Sequence, residues 1–162
     1  MRRRDLIAAF LSCAGLSRAQ DAQQTIKDIY SSMFARMRDI RTKADLERLI
    51  DSIDAPEWVG NMPAGETLTR EDTVKDGESA LAMPPEKRPI PKMQIAWMRE
   101  TGWNVQVVYW RYWEAGRQTM GALYRDSWVR TPVGWRRIRT EKFFPDLVLV
   151  ENGKGTFLPG PE

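Results

Sequence analysis

Residues 103–144 read WNVQVVYWRYWEAGRQTMGALYRDSWVRTPVGWRRIRTEKFF. Aromatic and β-branched side chains crowd this stretch, as they do in strands. Two turn signals divide it. Glu114-Ala115-Gly116-Arg117 suits a tight hairpin with Glu114 facing Arg117, and Thr131-Pro132-Val133-Gly134 suits a type I turn with glycine as a bulge. With the run before it, the pattern predicts strands over Met93–Arg99, Trp103–Trp113, Gln118–Arg130 and Trp135–Phe144. Strands joined this closely form an antiparallel sheet.

Side chains alternate along each strand, so pairing Glu114 with Arg117 assigns the faces. Val105 then lies opposite Asp126, Val107 opposite Tyr124 and Tyr109 opposite Ala122. One face carries Val105, Val107, Tyr109, Arg111, Met120, Tyr124, Asp126 and Trp128, joined by Ile138 and Thr140 from the next strand. The other carries Val108, Trp110, Tyr112, Leu123, Val129 and Trp135, diluted by Gln106, Arg125, Ser127 and Arg137.

The residues upstream read as helices. Ile26, Ile29, Tyr30, Met33, Met37 and Ile40 recur at helical spacing and predict an amphipathic helix over Asp21–Arg41. Thr42 with Asp45 three residues on is a capping-box start for a second helix, whose apolar face is Leu46, Leu49, Ile50 and Ile53 and which Pro56 ends. Glu57-Trp58-Val59 follows as a short strand and 60–65 as a turn. Thr69, backed by Glu71 and Asp72, starts a third helix that cannot pass Pro84-Pro85. Three helices can cover only one face of the sheet. The other face, with Trp110, Tyr112 and Trp135, is therefore the expected homodimer interface.

The N-terminus reads as an address. Arg2-Arg3-Arg4 precedes a short apolar run over 6–16, and Ser17-Arg18-Ala19 places small residues before a cut ahead of Gln20. Arg3-Arg4-Asp5-Leu6-Ile7 is similar to the twin-arginine export signal. The expected organisation is a signal peptide over 1–19, one domain over 20–150 and a flexible tail over 151–162. The expected location is periplasmic or extracellular, with no membrane attachment after cleavage. Removing Arg2, Arg3, Arg4 and Arg18 from the 25 basic residues, and Asp5 from the 22 acidic ones, leaves equal numbers. The formal +3 vanishes, and with it the basic excess that would suggest nucleic acid.

Composition removes whole classes of chemistry. The 162 residues include no histidine and one cysteine, Cys13, which lies inside the signal. Histidine-based catalysis, His-ligated metal, thiolate zinc and intramolecular disulfides are excluded, and no cofactor is expected.

Three segments carry a resemblance to a known family: Ala44-Asp45-Leu46-Glu47-Arg48-Leu49, Gly65-Glu66-Thr67-Leu68-Thr69-Arg70-Glu71, and Asp126-Ser127-Trp128-Val129-Arg130 running to Gly134-Trp135. With the element order, they make residues 21–145 similar to the nuclear transport factor 2-like superfamily, which includes ketosteroid isomerases and SnoaL-like polyketide cyclases. The resemblance implies an α+β, cystatin-like cone: about three N-terminal helices on a strongly curved antiparallel sheet. It implies little about activity, because the fold hosts many. In ketosteroid isomerase-like members a general-base Asp follows the first short strand; that place falls at Asn61, which cannot take a proton. Epoxide hydrolase-like members use two Asp with an Arg between them. Arg111 shares a face with Asp126 but stands six residues along, roughly 20 Å away.

Asp126 is the residue of most interest, since a carboxylate facing into the cone must be paired or protonated. It is either a ligand-binding or acid/base group, or a structural carboxylate bonded to Thr140, Arg139 or a helix. Trp128, Tyr109, Trp58, Tyr30 and Asn61 are the expected walls of an aromatic-lined pocket for a small apolar or aromatic ligand. Tyr30 and Tyr124 are the tyrosines that could join Asp126 in catalysis. Asp54 and Glu57 read as solvated or capping groups. The sequence leads to a non-catalytic binding or dimeric interaction module, with a cofactor-free lyase or isomerase using Asp126 and a tyrosine as the alternative.

Overall fold

The computed structural model describes residues 21–88, 91–115, 118–143, 148–151 and 154–157. The signal peptide assigned to 1–19 lies outside them. Residues 21–37 are helical (α1). They are followed by α2 (Lys43–Ile53), β1 (Asp54–Asn61), β2 (Thr67–Leu68) and α3 (Arg70–Leu81). A 3-10 turn at Pro85–Lys87 leads into β3 (Lys92–Thr101), β4 (Asn104–Ala115), β5 (Gln118–Thr131), β6 (Gly134–Lys142), β7 (Val148–Glu151) and β8 (Lys154–Phe157).

Both predicted helix starts are full capping boxes. The Thr42 and Thr69 hydroxyls accept from the backbone N–H of Asp45 and Asp72, whose carboxylates accept from the threonine N–H in return. These bonds hold the Asp45 carboxyl down at about 2 and also lower that of Asp72. Helix α2 stops at Ile53, ahead of Pro56, and the chain passes directly into a strand.

The sheet runs β2-β1-β6-β5-β4-β3, with β1 parallel to β6 and the other neighbours antiparallel; β7 joins β5 and pairs with β8. The hairpin register differs from the expected one by two residues. Ala115 faces Gln118, so Val105 lies opposite Trp128, Val107 opposite Asp126 and Tyr109 opposite Tyr124. A two-residue slip keeps every side chain on its face, so the assignment for β4 and β5 survives.

The assignment for β6 does not survive. Ser127 faces Arg139 while Trp128 faces Arg137, which leaves Ile138 as an extra residue on β6. Such a bulge reverses the alternation beyond it. Arg137 and Trp135 therefore turn to the inner face, against the expectation that both pointed outward. Trp135 is 7% exposed and belongs to the core with Ala22, Ile26, Val105 and Trp128, so it is no part of an outer interface. Ile138, expected on the inner face, is the residue displaced. Register also shifts in β3 between Ile95 and Trp97 and in β1 between Asp54 and Val59. Irregularities of this kind bend a sheet, here around the helices on its concave side.

Residues 151–162, expected as a loose tail, contain β8, and the paired structure runs to Phe157. Asn152-Gly153, a strong hairpin signal, stands between β7 and β8 in the sequence.

Candidate functional site

Asp126 is fully buried, and each of its oxygens accepts from named donors. Oδ1 accepts from the Thr140 hydroxyl at 2.7 Å. Oδ2 accepts from the Tyr30 hydroxyl at 2.6 Å and from Arg137 Nη1 at 3.2 Å. The network extends both ways. Trp128 Nε1 donates to the Tyr30 oxygen at 3.0 Å, and Trp58 Nε1 donates to the Thr140 oxygen at 3.2 Å. Arg137 grips a second carboxylate with its other nitrogens, Nε to Asp54 Oδ1 at 2.7 Å and Nη2 to Asp54 Oδ2 at 3.2 Å. Its guanidinium carbon also lies 5.6 Å from the centre of the Trp58 ring.

Each member is delivered by its element. The helical phase of α1 sends Tyr30 onto the sheet with Ile26 and Ala22. The alternation of β5 aims Asp126 and Trp128 the same way, and the β6 bulge adds Arg137. Asp54 closes α2 by donating its backbone N–H to Ile50 and, as the first residue of β1, lies opposite Arg137. It is 5% exposed, so the expectation of a solvated group is corrected. Gly60 leaves room for the Trp58 ring; a Cβ there would stand 3.0 Å from it.

Aromatic packing encloses the polar groups. Tyr30 lies 5.5 Å from Tyr109 and 5.3 Å edge-on from Trp128, and Tyr109 stacks on Tyr124 at 5.7 Å. The charges reinforce this closure. Burial, then the Asp126 charge, raises the Tyr30 and Tyr109 hydroxyls well above the usual tyrosine range, so both stay protonated. Burial likewise raises Tyr124. Burial opposes the charge on Arg137, but the charges of Asp126 and Asp54 outweigh it and hold the guanidinium firmly protonated. Asp54 is raised by burial, with Arg137 pulling against the rise.

The structure thus brings together Tyr30, Asp126, Trp128, Tyr109 and Trp58, with Tyr124 beside them. It does not bring in Asn61. That residue lies opposite Glu141, whose carboxylate binds Arg125 on the outer side of the sheet. Sequence reasoning missed Arg137 and Asp54. An Arg does lie between two Asp, but it is Arg137 between Asp54 and Asp126; Arg111 pairs with Ala122, farther along the sheet. No period-two reading could have found Arg137, because the bulge that turns it inward has no signature in Trp135-Arg136-Arg137-Ile138-Arg139.

Two surface cavities lie away from these groups. One, of about 470 Å³, is lined by Asp21, Ala22, Thr25, Arg130, Gly134 and Trp135. The other, of about 370 Å³, lies between α1 and α2 over Ile29, Met33, Leu49 and Ile53. Among the described residues no group of acidic, histidine or cysteine side chains is placed to hold a metal, and no helix is long and apolar enough to cross a membrane.

A curved sheet wrapped on three helices with a buried inner face defines a class of α+β cone. The chain has the nuclear transport factor 2-like, cystatin-like fold. Three solved structures carry the likeness, each at a TM-score of 0.57. A conserved protein of Planctomyces limnophilus is 11% identical, over 83% of this chain and 99% of its own. A nuclear transport factor 2-like protein with a cystatin-like fold from Novosphingobium aromaticivorans is 14% identical, over 80% and 86%. A nuclear transport factor 2-like protein of unknown function from Pseudomonas putida is 14% identical, over 88% and 98%. At such identities the likeness establishes the fold alone. No family model and no curated protein matches the sequence.

Proposed function

We propose that the chain is an exported, non-catalytic interaction module that works through the outer face of its sheet. The observation that carries this reading is the closure of the inner face. Asp126 and Trp128 are fully buried, and the hydroxyls and carboxylates around them bind one another. Asp126 is buried and already holds three donors, which leaves it little to offer a ligand. The outer face is different. Trp97 is 44% exposed there, near the stacked pair Trp110 and Tyr112. Export rests on the order of charge, apolar run and small residues over 1–19.

Native mass spectrometry of the purified chain tests the reading. It predicts no retained small molecule. A ligand lost on Tyr30→Phe would place the working site inside and overturn it.

One observation favours a second reading. Asp54, Arg137 and Asp126 form the carboxylate–guanidinium–carboxylate arrangement that the resemblance attaches to epoxide hydrolase-like members. Asp54, raised by burial, would supply the proton, and Asp126 would draw one from water. This reading needs a solvent path to Asp126. Incubation with styrene oxide in ¹⁸O-labelled water tests it: labelled diol formation, abolished by Asp126→Asn, would establish the hydrolase.

A further inference from the structure

The cross-strand registers make the outer face a grid, and its rows differ in chemistry. One row crosses four strands as Arg99, Gln106, Ser127 and Arg139. The row beside it, toward the β3–β4 turn, is Thr101, Asn104, Val129 and Arg136. On the other side stand Trp97, Val108, Arg125 and Glu141, and beyond them Gln94, Trp110 and Leu123. The carboxylate among these rows, Glu141, is taken by Arg125 at 2.6 Å. Arg99 and Arg139 are exposed, as are Gln106, Asn104 and Thr101.

Two properties follow. The first is an excess of positive charge. With Glu141 paired to Arg125, these four-strand rows hold Arg99, Arg136 and Arg139, and the exposed Glu57 of β1 stands beyond their edge. Two such faces pressed together would set guanidinium against guanidinium, which is costly at an interface. The face therefore suits an anion better than a second copy of itself. The second property is the company the arginines keep. Amides and hydroxyls (Gln94, Asn104, Gln106, Ser127, Thr101) outnumber the cations, and the exposed Trp97 ring stands one row away. Neutral donors and acceptors match hydroxyl groups, a flat indole matches the face of a sugar ring, and arginine binds carboxylates in a fork. A phosphodiester chain, charged at every unit, would call for a denser cationic track.

We propose that the outer face binds an acidic polysaccharide laid across the strands. Its uronate carboxylates reach Arg99 and Arg139, about 14 Å apart at three strand spacings, and a sugar ring covers Trp97. The proposal rests on the reading of this face as the working surface, and names its partner.

The test uses the full chain and follows tryptophan fluorescence during titration with polygalacturonate, neutral dextran and an oligothymidylate. Polygalacturonate is expected to bind, with affinity falling as salt rises, while dextran does not bind and oligothymidylate binds more weakly. Arg99→Ala with Arg139→Ala is expected to weaken binding roughly tenfold or more while the unfolding midpoint stays in place. Trp97→Ala should lose both affinity and part of the fluorescence change.

Tighter binding of oligothymidylate overturns the proposal in favour of nucleic acid. Polygalacturonate binding that the double variant leaves unchanged overturns it as well. If polygalacturonate does not bind and light scattering shows a dimer that Trp97→Asp splits, the polysaccharide is wrong and the outer-face reading stands. If nothing binds, the chain is monomeric and acrylamide quenches Trp97 freely, both fall.

Discussion

Replacing Arg137 by Met would remove the cation between two buried carboxylates while keeping most of the side-chain volume. Asp54 would lose both of its fork contacts, at 2.7 and 3.2 Å, and Asp126 one of its donors. The guanidinium is 13% exposed and the carboxylates 2% and 0%, so water cannot take its place. Breaking a buried pair by deleting one partner costs about 3–5 kcal/mol. Against a total stability of about 5–15 kcal/mol that is a large share, and it corresponds to a fall in melting temperature of roughly 6–20 °C. The pH dependence separates charge from packing. Without Arg137, burial raises Asp54 with no cation pulling against it, so the native state takes up a proton that the unfolded chain does not. Stability then rises as pH falls from 7 toward the unfolded carboxylate value near 4. Urea unfolding of Arg137→Met between pH 4 and 8 should show a deficit largest at pH 8 and shrinking on acidification. Adding Asp54→Asn and Asp126→Asn should recover much of the loss at neutral pH. A deficit under about 1 kcal/mol, or one independent of pH, would refute the reasoning.

Other perturbations probe separate parts of the account. Tyr30→Phe removes a donor from Asp126 and leaves Trp128 Nε1 unpaired, which should cost about 1–3 kcal/mol in urea unfolding. Asp45 is lowered to about 2 by its capping bonds, so its contribution is complete above the ordinary value of 3.8 and is lost as pH falls through about 2. Asp72 behaves in the same sense, and the double variant Asp45→Asn with Asp72→Asn should flatten the acid limb of stability between pH 4 and 2. Gly134 turns the β5–β6 hairpin at φ +112, where a side chain is strained; Gly134→Ala should cost about 1–3 kcal/mol by thermal melting.

Much of the fold was legible because its signals are local. Thr42 and Thr69 announced their helices through caps that span four residues, and the aromatic run over 103–144 announced a sheet through alternation. Face assignment on β4 and β5 tolerated an error in the turn, since a slip of two preserves parity. Asp126 and Tyr30 were legible as inward residues, one from the strand period and the other from the helix period. Arg137, Trp135 and Asp54 were not. Their placement depends on one extra residue in β6 and on the passage from α2 straight into β1, both fixed by packing between distant segments. Strand β8 was hidden by its glycine-rich flanks, although Asn152-Gly153 stood between its arms.

A crystal structure of the purified chain showing ordered water would test the central claim most directly. The account predicts Asp126 held by Tyr30, Thr140 and Arg137, with no solvent or ligand within hydrogen-bond distance of its carboxylate. A water-filled or ligand-filled channel reaching Asp126 from the surface would contradict it, and would make Asp54, Arg137 and Asp126 an active site.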